Sequence, residues 1–543
     1  MPHSWLRRRI PLPLAGWSLA FLGMAFLLPG ILGHDPWKTE DAVAFGVVWQ
    51  MLESGNWLTL GLAGDPYFED GPLFYWVAAA FVKALGGVLA PHDAARIPSM
   101  LFMAATFWFV RLAARELYGK VQGDLSMLAF LGCVGLVWHA HETAAETAML
   151  AGLAAAYYGL AISHKKPYKS ALVFGCGTGV AFLAKGLIAM LQPLAAALLV
   201  LPFSAALRAR NYAIAVTLGL VVLAPLAIAW PVAIAVQAPQ YFEWWLAWQF
   251  ASISDPPTWH KLLGYLKIFS WAAWPVWPLA LWATWEYRRY LRDPGFAVPF
   301  VGAAVCFVLL LFSRPVAGEM DALALLVPLS IPAGAAALGL RRGAANALAW
   351  FAIMTFSIAV GFAWVMWFAS VTGFPPPLAQ NVAKLAPGFV GEFHWLSALF
   401  ALLLTAGWFV LVARSERSTL RSLTHWAAGV TVTWGLTMTL GIDWIDYGKT
   451  YRNVATSLRK QLPADLDCLE SRGMGETQRA VFHYHGGLVT QRAEVHGVTG
   501  CRWLLVQAPA IGRPADDPGA QWTEIWEGRR PRDAERYRLY VRN

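Results

Sequence analysis

"TEDAVAFGVVWQMLESGNWLTLGLAGDPYFEDGPLFYW", residues 39–76, decides how this chain is read. It opens on two adjacent acids, Glu40 and Asp41, and runs apolar to Leu52 before turning at Ser54-Gly55-Asn56. A second acidic pair, Glu69-Asp70, then stands directly before Gly71-Pro72 and another apolar run. Carboxylates are costly inside a bilayer and cheap in water, so their meaning depends on where the membrane lies.

The composition answers the first half of that question. Of 543 residues 58% are hydrophobic and 14% charged, and mean hydropathy is +0.48. A soluble domain carries roughly a quarter charged residues. Apolar runs of spanning length recur from Leu14 to Leu440, which reads as an all-α polytopic membrane protein. The net charge of +9 reports topology before it reports a partner, and nucleic-acid binding is excluded as its explanation. The basic, apolar start is read as a retained first span.

Basic clusters at Arg7–Arg9, Arg111–Lys120, Lys165–Lys169, Arg208–Arg210, Arg288–Arg292, Arg341–Arg342 and Arg414–Arg421 divide the apolar segments. If all are cytoplasmic, spans pair between them: 125–140 with 147–162, 170–184 with 187–204, 211–236 with 265–285, 296–313 with 321–340, and 346–370 with 397–413. A last span at 424–443 carries the C-terminus outside. Three apolar segments precede Arg111, at 14–33, 72–90 and 97–113, so one cannot cross. Residues 72–90, with Lys83 inside, are expected to lie at the interface. The result is a domain over 1–443 with about 13 crossings and a first outer loop over 33–96. The N-terminus is expected to be cytoplasmic and the C-terminal domain extracytoplasmic.

This topology puts Glu40, Asp41, Glu69, Asp70, Arg96, Glu142, Glu146, Lys185, His260 and Glu319 on one outer face. Each alone is an ordinary interfacial residue more often than a catalyst. Together they imply an outward-opening cavity.

From Trp444 the composition becomes that of a soluble domain. "TYRNVATSLRKQL" (450–462) has helical spacing, whereas "CRWLLVQAP", "QWTEIWEG" and "RYRLYVRN" alternate as strands, so 444–543 is a small α/β domain. "HYH" at 483–485 is read as a strand with surface histidines. Cys133, Cys176 and Cys306 lie in apolar runs, while Cys468 and Cys501 can form a disulfide if the domain is extracytoplasmic.

The 39–76 stretch resembles the first periplasmic loop of GT-C fold glycosyltransferases, the protein O-mannosyltransferase and aminoarabinose–lipid A transferase group. Glu40-Asp41, the run Met51 to Trp57 and the run Gly64 to Trp76 follow that group's pattern in order and spacing. Weaker echoes are "ARIPSM" (95–100), "FLAKGLIAMLQP" (182–193), "TWHKLLGYL" (258–266) and "FSRPVAGEMDALALLVPL" (312–329). The resemblance covers about residues 10–345. It implies an inverting transfer of a sugar from a polyprenyl (undecaprenyl) phosphate carrier to a lipid, glycan or protein acceptor, by a monomer at the periplasmic face.

Such chemistry needs a carboxylate base for the acceptor and cations facing the departing phosphate. The resemblance assigns the base to the pair Glu40 and Asp41: position favours Glu40, side-chain type favours Asp41. It assigns a donor-phosphate contact to Lys185; Tyr67, Asp70 and Arg96 are read beside it as donor-binding residues, with Lys261 and Arg314 as further cations. Glu69 and His260 match a divalent metal site (zinc, magnesium or manganese), though two ligands are too few for a structural one. Asp70 stands where the group has a lysine, and Glu319 and Ala322 where many members have a lysine and a tyrosine, so cations are lost. The competing readings are an outward-facing transporter or flippase and a non-catalytic carrier-lipid-binding protein.

Overall fold

In the computed structural model, the described residues are 16–314, 318–416, 418–497, 500–508, 518–531 and 533–543. The basic run Arg7–Arg9 lies outside them.

A first helix, α1 (Trp17–Leu27), leads to α2 (Glu40–Ser54). Glu40 and Asp41 occupy the first turn of α2, where the helix dipole favours acids. Gly55 ends it at a φ of 68°, the left-handed cap that a side chain resists. A short hairpin, β1 (Gly61–Leu62) and β2 (Asp65–Pro66), follows, and Pro72 caps α3 (Leu73–Leu85). At 13 residues α3 is about 20 Å long, too short to cross a hydrocarbon core.

The membrane part continues through α4 (Pro91–Tyr118), α5 (Lys120–Leu131), α6 (Leu136–His139), α7 (Ala145–Ile162), α8 (Pro167–Lys185) and α9 (Leu187–Phe203). Next come α10 (Arg210–Gln237), α11 (Pro239–Ala251), α12 (Trp259–Ala272), α13 (Val276–Glu286), α14 (Pro294–Phe312), α15 (Glu319–Ala322) and α16 (Leu326–Leu338). The last are α17 (Arg342–Thr372), α18 (Pro376–Leu385), α19 (Trp395–Arg414) and α20 (Arg421–Leu440). Among the described residues, seven helical stretches are long and apolar enough alone to cross a bilayer: α4, α7, α10, α14, Glu319–Leu338, α17 and α19.

Two expected spans are interrupted. The segment 125–140 ends its helix at Leu131, and the chain turns through Gly132-Cys133 into the four-residue α6. The segment 265–285 is divided at Pro275, whose ring and missing N–H interrupt the helix ladder, into α12 and α13.

The C-terminal domain begins with α21 (Ile442–Lys449) and α22 (Arg452–Arg459), followed by β3 (Leu469–Arg472), α23 (Glu476–Gly486), β4 (Gln491–Arg492), α24 (Ala493–His496), β5 (Trp503–Ala508), β6 (Trp522–Gly528) and β7 (Arg536–Arg542). Its sheet runs β4-β3-β5-β7-β6, parallel through β4-β3-β5 and antiparallel beyond. Cys468 and Cys501 are joined by a disulfide. The "HYH" run is not a strand: it closes α23, where His483 pairs with Glu53 of α2 at 2.7 Å. The helical reading fits "ETQRAVFHYHG", in which Ala480, Val481 and Phe482 are buried among neighbouring polar residues.

Helix α23 packs directly on α2. Gly46 permits that approach, since a Cβ there would come within 2.6 Å of the Ala480 Cβ and 2.7 Å of Leu62. Arg479 reinforces the contact by pairing with Asp65 and donating to the Leu62 carbonyl at 3.0 Å. Further along, Asp35 accepts from Arg452 and from the Thr450 hydroxyl. The soluble domain is thus pinned to the loop that carries both acidic pairs.

A Gly46→Val substitution should wedge α23 from α2 at a cost of about 1–3 kcal/mol. The expected result is a lower thermal midpoint with faster tryptic cleavage between residues 444 and 460. An unchanged cleavage rate would mean that the packing does not hold the domain.

Candidate active site

A cavity of about 780 Å³ opens beside the N-terminus of α2. Its walls come from the first loop (Lys38, Glu40, Glu69), the α6–α7 turn (Trp138, His139, Glu142, Glu146), Lys185 of α8, and the segment after α14 (Arg314, Glu319, Asp321). Trp248 and Trp271, both partly exposed, line it from α11 and α12.

The adjacent acids at the head of α2 have opposite environments because successive helix residues point about 100° apart. Asp41 is fully buried. Its Oδ1 accepts from Arg96 Nε at 3.1 Å and the Thr143 N–H at 2.9 Å; its Oδ2 accepts from Arg96 Nη2 at 2.9 Å and the Trp37 N–H at 3.1 Å. Burial opposes ionisation, but the Arg96 charge and these hydrogen bonds hold the carboxyl well below the usual carboxylate range. With both oxygens occupied, Asp41 has no lone pair to offer an acceptor.

Arg96 is equally committed. Besides Asp41 it donates to Asp93 Oδ1 at 3.1 Å and to the backbone carbonyls of His34 (2.9 Å) and Asp35 (3.0 Å). All five guanidinium protons are used, and the side chain is wholly buried. The expectation that Arg96 meets a donor phosphate is therefore corrected: it shapes the first loop.

Glu40 faces the cavity. Burial, followed by the charges of Glu146, Asp70 and Glu142, pushes its carboxyl up to about 8, against the opposing pull of Lys185. Thr39, at the N-cap, makes no side-chain capping hydrogen bond.

The second acidic pair divides in the same way. Glu69 lines the cavity, whereas Asp70 is buried behind it and pairs with Lys185 Nζ at 2.5 Å. The other Asp70 oxygen accepts from the hydroxyls of Tyr75 (2.5 Å) and Tyr67 (3.2 Å). Asp70 and Tyr67 were expected to touch a donor; instead they orient Lys185, which also pairs with Glu146 at 2.7 Å. Gly71 makes this possible: its N–H donates to the Ala184 carbonyl at 2.9 Å, and a Cβ would collide with the backbone of Leu183. Of the expected cations, Lys261 is buried and donates to Asp255 (2.6 Å) and the Ser313 carbonyl (2.7 Å). It fixes the segment that presents Arg314 and does not reach the cavity itself.

Glu69 lines the cavity, but His260 is exposed at the start of α12 and lies outside the lining, so the pair does not meet there. Among the described residues no group of three or more His, Cys, Asp or Glu side chains is placed to hold a metal ion. Among the described residues, Glu69 and His260 are therefore not brought together as a metal site.

His139, Trp138, Lys38 and Asp321 were not singled out from the sequence. The first two were hidden because hydropathy extended a span to residue 140. The acid- and histidine-rich run "WHAHETAAE" (138–146) was the available signal.

A family model described as dolichyl-phosphate-mannose-protein mannosyltransferase matches residues 69–230. The undecaprenyl phosphate-alpha-4-amino-4-deoxy-L-arabinose arabinosyl transferase 1 of Pseudomonas fluorescens is 27% identical over 238 residues, 42% of this chain and 40% of that protein. The corresponding transferase of Pseudomonas aeruginosa is 28% identical over 42% of each chain. The matches thus span about two-fifths of those relatives' length. The crystal structure of ArnT from Cupriavidus metallidurans bound to undecaprenyl phosphate superposes with a TM-score of 0.69 at 16% identity, over 96% of this chain and 97% of that one. The GT-C fold is therefore shared across nearly the whole chain, and the resemblance is to glycosyltransferases that use polyprenyl phosphates.

Breaking the Asp41–Arg96 pair from one side leaves an uncompensated buried charge worth about 3–5 kcal/mol. Arg96→Met and Asp41→Asn should each sharply lower the thermal midpoint of the purified protein. The double variant Asp41→Leu, Arg96→Met should recover part of the loss, whereas additive losses would mean that the pair is not coupled.

Proposed function

We propose that this protein is an inverting glycosyltransferase that moves a sugar from a polyprenyl-phosphate carrier to an acceptor at the periplasmic face of the bacterial inner membrane. The observation that carries the reading is the division of labour at the head of α2. One carboxylate is locked to Arg96, and its neighbour faces a cavity with its proton affinity raised.

In this reading Glu40 is the general base. It takes the proton from an acceptor hydroxyl or amine as that atom attacks the anomeric carbon. The carbon–oxygen bond to the phosphate breaks on the opposite face, and its electron pair leaves with the lipid phosphate. A base matched to near-neutral pH suits this task better than an ordinary glutamate does. Lys185, held at the wall by Asp70 and Glu146, and Arg314 are the cations that face the anionic leaving group. Trp248 and Trp271 supply apolar walls to the cavity. The acceptor is a lipid, a glycan or a protein. Positive-inside topology supports the periplasmic placement, because the basic loops fall between paired spans and the C-terminal domain lies on the cavity side.

The test is release of polyprenyl phosphate from a panel of undecaprenyl-phosphate sugars in the presence of an envelope extract. Glu40→Gln should lower the rate by about 10²–10⁴-fold with an unchanged thermal midpoint. Because the deprotonated carboxylate is the active form, the wild-type kcat/KM for the acceptor, measured at saturating donor, should rise with pH up to about 8 and then level. A Glu40→Gln protein that turns over normally would remove Glu40 from the chemistry.

A further inference from the structure

The cavity is crowded with carboxylates, yet the proposed donor is an anion. Lys185 is already balanced by Asp70 and Glu146, and Lys38 pairs with Glu535 of the C-terminal domain at 2.6 Å. The remaining cation-capable side chains on the wall are Arg314 and His139.

His139 has a constructed side and a loose side. Its Nδ1 lies 2.7 Å from Glu142 Oε2, and the other Glu142 oxygen accepts the Trp138 indole N–H at 2.5 Å. Glu142 is itself buried, so the ring orientation is fixed from within the protein. On the opposite side, Nε2 is 3.5 Å from Glu319 Oε2, longer than a good hydrogen bond. The Glu319 side chain is 52% exposed against 14% for His139. One acid orients the imidazole, and the other is a weakly held, replaceable anion.

We propose that His139 is a donor-phosphate contact, an imidazolium aimed by Glu142 whose Nε2–H leaves Glu319 for an oxygen of the lipid phosphate. This rests on the glycosyltransferase reading and deepens it. As the bond from the anomeric carbon breaks, the electron pair settles on that phosphate, and a charge-assisted hydrogen bond there stabilises the developing anion. Burial works against the protonated ring, but the hydrogen bond and charge of Glu142, with Glu319, outweigh it and raise its proton affinity. The contact is therefore present at low pH and lost as pH rises through the raised value. Glu40, Glu69, Glu146, Asp321, Lys185 and Arg314 also face this space and Lys449 lies over Trp138 beside Glu142, so the informative quantity is the share of the pH dependence that His139 alone supplies.

The experiment titrates the full-length protein with a short-chain polyprenyl methyl phosphate, a diester that keeps one negative charge throughout, from pH 6 to pH 9. His139→Gln should weaken binding about tenfold at pH 6 and flatten the profile, while Glu319→Gln should tighten binding by removing the competing anion. Parallel wild-type and His139→Gln profiles would overturn the assignment. If His139→Gln fails to fold, the absence of tightening in Glu319→Gln overturns it equally. Absence of binding by the wild type at every pH would overturn both this contact and the glycosyltransferase reading, whereas binding that ignores His139 overturns the contact alone.

Discussion

The rest of the site depends on Arg96 being saturated. This one guanidinium gathers the Asp41 carboxylate and the His34 and Asp35 carbonyls from the chain just before and at the start of α2, and the Asp93 carboxylate from its own helix α4. A loop with that many polar backbone groups beside a bilayer would otherwise need water or a helix to satisfy them. By fixing residues 34–41, the pair fixes where α2 begins. It thereby sets which of two adjacent acids looks into protein and which looks into the cavity.

The second constraint is steric. The Asp70-Gly71 corner lies against the end of α8 because residue 71 has no side chain, and this approach sets Asp70 on Lys185. At the same end of α8, Gly186, at a φ of 73°, leaves room for Gln249, whose Oε1 accepts the Leu187 N–H at 2.9 Å. Two glycines thus hold three elements together at the cavity wall. The C-terminal domain completes the arrangement from outside, through Gly46 against Ala480 and through Lys38 against Glu535. Lys449 adds a cation over the Trp138 ring at 3.8 Å. The domain therefore bears on the first loop and packs against it from outside.

Much of this was legible from the chain. The polytopic helical class followed from hydropathy, the α/β tail from its change in composition, and the importance of residues 39–76 from acids placed beside apolar runs. What could not be read was orientation. Topology puts Asp70 and Arg96 on the outer face beside the cavity, but does not say that one is turned toward Lys185 and the other wholly consumed by Asp41. Hydropathy also hid His139, because an apolar window has no means of seeing that Gly132 ends a helix eight residues before the apolar run does. The same blindness joined α12 to α13 across Pro275, and local alternation in "HYH" suggested a strand where α23 packs.

Glu40 and Asp41 show why adjacency in sequence left the base undecided. The side-chain types argue one way and the positions the other, and neither argument contains the deciding quantity, the location of the neutralising cation. An acid fully paired with a buried arginine is a stable anion and a poor base, because its proton affinity has been lowered by the interactions that hold it. An acid one residue earlier, a third of a helical turn away and surrounded by other carboxylates, has its affinity raised toward working pH. In the proposed reaction, the same charge that would repel an approaching phosphate is what makes Glu40 able to take a proton. The cavity must then contain that repulsion locally, through Lys185, Arg314 and a histidine that Glu142 orients and Glu319 holds only loosely.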